Sequence, residues 1–202
     1  MTEVNGKVYK VANSTANTFE LNTRADANVD TSGYTTYTTG GEVRKRVTTI
    51  SGLSHLEGET VSILAEGAPV VDATVSSGAI TVTETSKAQV GLAYTSDFET
   101  LRLNAGAADG TAQGKTSRIH RLFIRFYQSL GGKVGPDASN LSPLIFRKGG
   151  DDMDAAVPLF DGDVEIEWDA EYSTESLLFI RQDQPLPMTI EAVMPQLHTQ
   201  DR

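Results

Sequence analysis

The segment from Gly52 to Leu92 constrains the fold more than any other part of the chain. Short apolar bursts alternate there with polar residues, and glycines interrupt them at Gly58, Gly67, Gly78 and Gly91. Turns at roughly 8–12-residue intervals are typical of antiparallel β sandwiches, barrels and propeller blades. Threonine, valine and isoleucine recur along the chain, and these side chains favour strands. The sequence therefore predicts an all-β protein.

Two parts are expected within this all-β chain. Residues 1–48 are predicted to form a small β-barrel-like module, with strands at 6–11, 18–21, 33–38 and 42–43. About forty residues are too few for a generous core, so this module is expected to lean on a neighbour. Residues 49–202 are expected to form a larger antiparallel domain, either a sandwich or a propeller-derived fold.

The stretch from 115 to 130 is ambiguous between helix and strand. Its apolar residues fit a helical repeat, but Leu122, Ile124 and Phe126 also alternate as they would in a strand. Aromatic and β-branched content favours the strand, as does the Gly131-Gly132 turn that follows. We therefore predict a strand.

Composition excludes several functional classes. Twenty-seven acidic and seventeen basic residues give a net charge of −10, which argues against a surface that grips nucleic-acid phosphates. The chain has no cysteine, which removes disulfides, thiolate nucleophiles and cysteine metal sites. It has no apolar run of about eighteen residues and no signal-peptide pattern, so no membrane anchor is expected.

His55, Glu57 and Glu59 are the first candidates for chemistry. On a strand these alternate positions would share one face, and we interpret them as structural rather than as a metal or acid–base cluster. The other two histidines, His120 and His198, are remote and lie in no metal-binding pattern. No metal site is predicted from them.

Loop acids and a glycine-rich segment are further candidates. Neither Asp151, Asp152 and Asp154 nor the pair Asp161 and Asp163 has calcium-loop spacing, and we interpret them as solvated loop acids. The segment 110–116 resembles a phosphate loop but has one residue too few between its glycines. No cofactor is predicted.

The sequence gives no indication of an enzyme. No Gly-x-Ser-x-Gly elbow is present, and no serine or threonine has a histidine and an acid at recognisable spacing. A polymer hydrolase would need two carboxylates in a cleft. The sequence leaves that alternative open for Asp161, Asp163 and Glu165.

Arg118, Arg121 and Arg125 form the main basic concentration, interleaved with aromatic residues. A nucleic-acid surface has such a local pattern. With a net charge of −10, arginines on the outer face of a strand that pair with acids of an adjacent subunit are the preferred interpretation. We predict an interface at these three residues.

Several segments carry a resemblance to a known family. Residues 5–11 (Asn-Gly-Lys-Val-Tyr-Lys-Val), 18–21 and 32–41 resemble a small β-barrel module. Phage tail proteins share that module with the first catalytic cysteine half-domain of ubiquitin-activating enzymes. In such phage proteins it precedes a segment like Gly-Leu-Ser-His-Leu-Glu-Gly, which this chain has at 52–58.

Residues 91–101, 110–115, 135–137 and 180–188 extend the likeness to the whole chain. It is similar to the C-terminal part of tail-nozzle or tail-stabilisation proteins of short-tailed phages. Those proteins are usually much longer, so the resemblance implies that Met1 is either internal to a longer protein or the start of a shortened one.

The resemblance also implies a function. The protein is expected to be a structural part of the virion tail, assembled in the host cytoplasm as a ring of copies, expected to be hexameric. The ring would join the portal-adaptor complex to other tail proteins, and DNA would pass through it without sequence-specific binding.

A binding module is the alternative function. Loops of a virion-associated protein that recognise a host surface glycan or receptor would expose aromatic side chains in a groove. Tyr34, Tyr37 and Trp168 are the candidates for that role, and burial in the core is the competing explanation for each.

Overall fold

The structure is a computed structural model that describes residues 1–104, 114–151, 153, 155–168 and 171–200. These residues form fourteen strands and one short 3₁₀ helix at Ser54–Leu56. The strands are β1 (Lys10–Ala12), β2 (Glu20–Asn22), β3 (Val47–Ser51), β4 (Thr60–Ala65), β5 (Ala68–Thr74), β6 (Ala79–Thr85), β7 (Ala88–Leu92), β8 (Ser96–Glu99), β9 (Thr116–Ser129), β10 (Lys133–Asp137), β11 (Asn140–Pro143), β12 (Phe160–Glu167), β13 (Phe179–Gln182) and β14 (Ile190–Gln200). The all-β prediction is confirmed.

The chain divides into two compact units, Met1–Arg44 and Lys45–Arg202. In the N-terminal unit, β1 and β2 pair antiparallel as a two-stranded sheet. The predicted strands at 33–38 and 42–43 are not formed, and the described residues close no barrel. One reason is that the Thr35 backbone N–H donates to the Glu3 carboxylate at 2.9 Å, so this group does not donate to a neighbouring strand.

The C-terminal unit begins with a small β module. Its two sheets have the orders β3-β6 and β5-β4-β7. Alternate residues of β4 point inward, and the buried cluster consists of Val61, Ile63, Val75 and Ile80. These are the short apolar bursts of the 52–92 segment, so its strand pattern arises from burial of one strand face.

The rest of the unit is an antiparallel sandwich. One sheet has the order β12-β9-β14 and the other β11-β10-β13-β8. The central strand β9 buries Leu122, Ile124 and Phe126, which pack in one cluster with Val134 of β10 and Ile180 of β13. Of the two architectures expected for the larger domain, the sandwich is the one that forms, and the strand predicted at 115–130 is confirmed.

The Glu66 side chain links two turns of the small module through hydrogen bonds. It occupies the two-residue turn between β4 and β5 with a φ of 52°. Its carboxylate accepts hydrogen bonds from the backbone N–H groups of Ser86 and Lys87 and from the Ser86 and Thr85 hydroxyls. These bonds lower the pKa of Glu66 to about 2, with those from Ser86 the largest cause.

Replacing this carboxylate in Glu66→Gln is expected to lower the free energy of unfolding by about 1 kcal/mol at pH 7, a value reduced by the exposure of the site. The folded-state pKa lies below the usual 4.5, so the contribution is present above pH 4.5 and lost as pH falls toward 2. Urea unfolding of both proteins between pH 2 and 7 measures the difference. It should shrink over that window, and a pH-independent difference would contradict the assignment.

Candidate functional site

The 52–58 segment, which contains His55 and Glu57 of the residues singled out above, stabilises a turn of the small module. The Leu53 N–H donates to the Gly78 carbonyl at 2.9 Å, and the Gly58 N–H donates to the Val75 carbonyl at 3.1 Å. The Glu57 carboxylate accepts from the backbone N–H groups of Ser77 and Gly78 at 2.8 and 2.7 Å. The segment thus holds the turn that connects β5 to β6.

The prediction that residues 55–59 lie on one strand is wrong. His55 belongs to the 3₁₀ helix, which starts after Gly52 and ends before Gly58, and both glycines have positive φ angles of 90° and 83°. Positive φ is easy for glycine and interrupts an extended chain. Both carboxylate oxygens of Glu57 accept bonds from the turn, so this side chain contributes to the fold and is not poised as a general base.

The predicted arginines lie on β9, the central strand of its sheet. Its inner face enters the sandwich core, and its outer face carries Arg121, Phe123, Arg125 and Tyr127. We call these four residues the basic face. The Arg121 guanidinium lies over the Phe123 ring, 5.4 Å from its centroid. The strand alternation therefore places Arg121 and Arg125 outward, as the sequence predicts.

Acids of the adjacent strand β12 pair with two of the arginines. Arg125 donates through Nε and Nη2 to the two carboxylate oxygens of Asp163 at 2.7 and 2.9 Å. Arg121 donates through Nε to Glu165 at 2.8 Å. The hydrogen bonds from Arg125 lower the pKa of Asp163 and raise the pKa of Arg125 itself. These acids belong to the same chain, so neutralising the two arginines does not require an adjacent subunit.

Arg118 differs from the other two arginines. It lies opposite His198 of β14, beyond a shift in the strand register that separates it from Arg121. Arg118 is half-buried, and its Nε is buried without a hydrogen-bond partner among the described residues. The three arginines therefore do not form one uniform surface, and their role between copies stays a prediction.

Exchanging the charges of Arg125 and Asp163 tests that prediction. The variant Arg125→Asp is expected to weaken assembly of copies, and the double variant Arg125→Asp with Asp163→Arg is expected not to restore it. The double variant keeps an intrachain pair but reverses the charge that each position presents to a neighbour. Light scattering across a concentration series measures assembly. Full recovery in the double variant would show that Arg125 acts within its own chain.

The acids left open for a hydrolase are also engaged in the fold. Asp163 and Glu165 bind the arginines, and Asp161 accepts the Gln128 backbone N–H at 2.8 Å. No three histidine or acidic residues of the described chain lie where they would hold a metal ion together. The phosphate-loop-like stretch around Gly110, like Asp152 and Asp154, lies outside the described residues.

The three aromatic candidates for a host-binding loop differ in solvent exposure. Trp168 is only 7% exposed and belongs to the sandwich core. Tyr34 is half-buried, and the hydroxyl of the exposed Tyr37 donates to the Gly40 carbonyl at 2.5 Å. Trp168 lines neither of the two pockets described in the C-terminal unit. No specific observation favours the glycan-binding alternative.

Sequence reasoning missed a groove in the C-terminal unit. Two adjoining pockets of 740 and 520 Å³ share Tyr94, Leu186 and Pro187, and we call them together the Tyr94 groove. Tyr94 is 80% exposed. The sequence signals for the groove were Leu92, Tyr94 and Phe98 and the proline-rich turn at 183–187. Only the pairing of distant strands places them side by side.

No protein-family model matches the chain, and no curated protein matches it either. None of the described residues form a helix with the length and apolar character needed to cross a bilayer.

Proposed function

We propose that the protein is a structural component of a bacteriophage tail, of the nozzle or stabilisation type. Copies of it assemble around the DNA channel and join the portal-adaptor complex to the distal tail. The proposal starts from the sequence resemblance to such proteins at residues 5–11, 18–21, 32–41, 52–58, 91–101, 110–115, 135–137 and 180–188. The segment 52–58 supports the proposal. It contains potentially reactive side chains, but the Glu57 carboxylate stabilises the turn between β5 and β6, which is a structural role.

The observation that carries the proposal is the charge pattern of the basic face. Arg121 and Arg125 are each bound to a carboxylate of β12, so they are not displayed as a phosphate-binding strip. The whole chain has a net charge of −10. A chain with this net charge repels the DNA backbone at long range. A net negative charge suits a protein that lines a channel along which DNA must move without being held.

Protein analysis of purified particles tests the proposal. Phage particles that encode the chain are banded on a density gradient, and their tails are separated from emptied heads. We expect the protein in the tail fraction, at a copy number comparable to that of the portal-adaptor protein measured by quantitative mass spectrometry. Finding it in the infected lysate but absent from the particles would contradict the proposal.

A further inference from the structure

The Tyr94 groove is bordered by three strands that each have one hydrogen-bonded neighbour. In the described sheets, β7 pairs with β4, β8 pairs with β13 and β14 pairs with β9. An edge strand leaves half of its backbone N–H and C=O groups facing away from its sheet. β14 is the longest of the three, at eleven residues. Long edges of this kind are templates for another strand.

The walls of the groove are apolar and exposed. Leu92 and Phe98 are 57% and 49% exposed, although both are large hydrophobic side chains. Leu92 is the last residue of β7, Tyr94 lies in the connection to β8, and Phe98 lies in β8. Side chains of an extended segment alternate in direction, so every second residue of a bound strand would enter such a groove. If every second residue of the bound strand were apolar, those residues would cover the exposed side chains of Leu92, Tyr94 and Phe98.

The charges around the groove are unbalanced. Among the described residues, its lining includes Asp97, Asp183 and Glu191 and no lysine or arginine. Asp97 is paired with Arg181, and Asp183 is paired with Lys133, both from outside the lining. Glu191 lies near Arg125, which is already bound to Asp163. These four carboxylates and three cations leave one negative charge uncompensated, at Glu191, which a basic ligand would complement.

We propose that the Tyr94 groove binds an extended segment of a partner protein in which apolar residues alternate with lysine or arginine. The segment adds to a free sheet edge through backbone hydrogen bonds. Its apolar side chains cover Tyr94, Leu92 and Phe98, and its basic side chains meet the acidic rim. This inference does not depend on the phage-tail proposal, because it rests on strand edges, exposure and charge alone.

A short peptide tests the proposal on the protein of residues 1–202. The probe is acetyl-Lys-Val-Lys-Phe-Lys-Val-Lys-amide, and its counterpart replaces every lysine with glutamate. A third peptide carries N-methyl groups on alternate backbone nitrogens, which removes the donors that a strand edge needs. Isothermal titration calorimetry at 0.15 M salt should detect binding of the first peptide and loss of binding for the other two.

Protein variants locate the bound peptide. Tyr94→Ser is expected to weaken binding about tenfold, since an exposed aromatic anchor is removed from the centre of the groove. The matched control is Val71→Ser, because Val71 is a similarly exposed apolar residue, 89% accessible, on β5 and outside the groove lining. Both side chains are exposed, so both variants should keep the melting temperature of the parent protein.

Three results would overturn the proposal. Equal binding to the parent and to Tyr94→Ser would mean that the lysine peptide is held by net charge at some other surface. Equal binding of the N-methylated peptide would exclude addition to a strand edge. A peptide of residues 42–46, which precede β3 and include Arg44, Lys45 and Arg46, is the last arm. If it binds more tightly than the probe, the occupant is a second copy and not a partner protein.

Discussion

Replacing Gly135 by alanine is expected to lower the free energy of unfolding by about 3 kcal/mol or more. A Cβ at this position would lie 1.7 Å from the Asn140 carbonyl oxygen and 2.8 Å from the Asn140 carbonyl carbon. Both are backbone atoms of β11, so no side-chain rotation relieves the clash. The register of β10 and β11 shifts between Val134 and Asp137, which brings the two backbones together at this glycine.

Gly91→Ala is the matched control for this prediction. Gly91 also lies within a strand, β7, and a Cβ there would have no atom within 4 Å. Its φ is not positive, so alanine is compatible with the backbone. Chemical unfolding monitored by Trp168 fluorescence measures both variants. Gly91→Ala should stay within about 0.5 kcal/mol of the parent. Similar stabilities for the two variants would mean that β10 and β11 do not pair in this register.

Phe126→Ala is expected to destabilise the protein by about 3–5 kcal/mol. Phe126 is almost completely buried on the inner face of β9 and meets the Phe146 ring edge-on, with centroids 5.3 Å apart. The substitution removes the ring and leaves a cavity between the two sheets, because the surrounding strands relax only partly. The free energy of unfolding from urea titration measures the loss.

The neighbouring residue Tyr127 provides the control for Phe126. It is half exposed on the outer face of the same strand, and Tyr127→Ala removes an aromatic ring of similar size. We expect a cost below about 1 kcal/mol for this change. The reverse order of stabilities would place the sandwich core on the opposite face of β9 and would contradict the fold.

The strand at 116–129 was predictable because its signal is local. Leu122, Ile124 and Phe126 alternate with outward residues, and the aromatic content resolves the ambiguity with a helix. The outward direction of Arg121 and Arg125 follows from the same alternation. The acidic partners of these arginines could not be predicted from the same pattern. Asp163 lies 38 residues after Arg125, and Glu165 lies 44 residues after Arg121. Which acids face them depends on the register of β12 against β9.

The conformation of 52–58 was predicted wrongly for a related reason. Nothing in the segment itself shows that the Glu57 carboxylate bonds to Ser77 and Gly78, twenty and twenty-one residues further on. That bond and the positive φ angles at Gly52 and Gly58 favour a 3₁₀ turn over a strand. In the N-terminal unit, the bond between Glu3 and Thr35 had the same effect on a predicted strand.

The Tyr94 groove could not be predicted from the sequence because it is a property of sheet edges. Whether β7, β8 and β14 are central or peripheral depends on the complete strand order. The exposure of Leu92 and Phe98 follows from that order, whereas their apolar character alone suggests burial.

Assembly is the central claim, and native mass spectrometry of the purified protein tests it most directly. Masses are measured at several protein concentrations, alone and with the portal-adaptor protein and the distal tail proteins. The account predicts a closed ring of identical copies, expected to be a hexamer, that forms alone or on the adaptor. A protein that stays monomeric at every concentration and binds no tail component would contradict it.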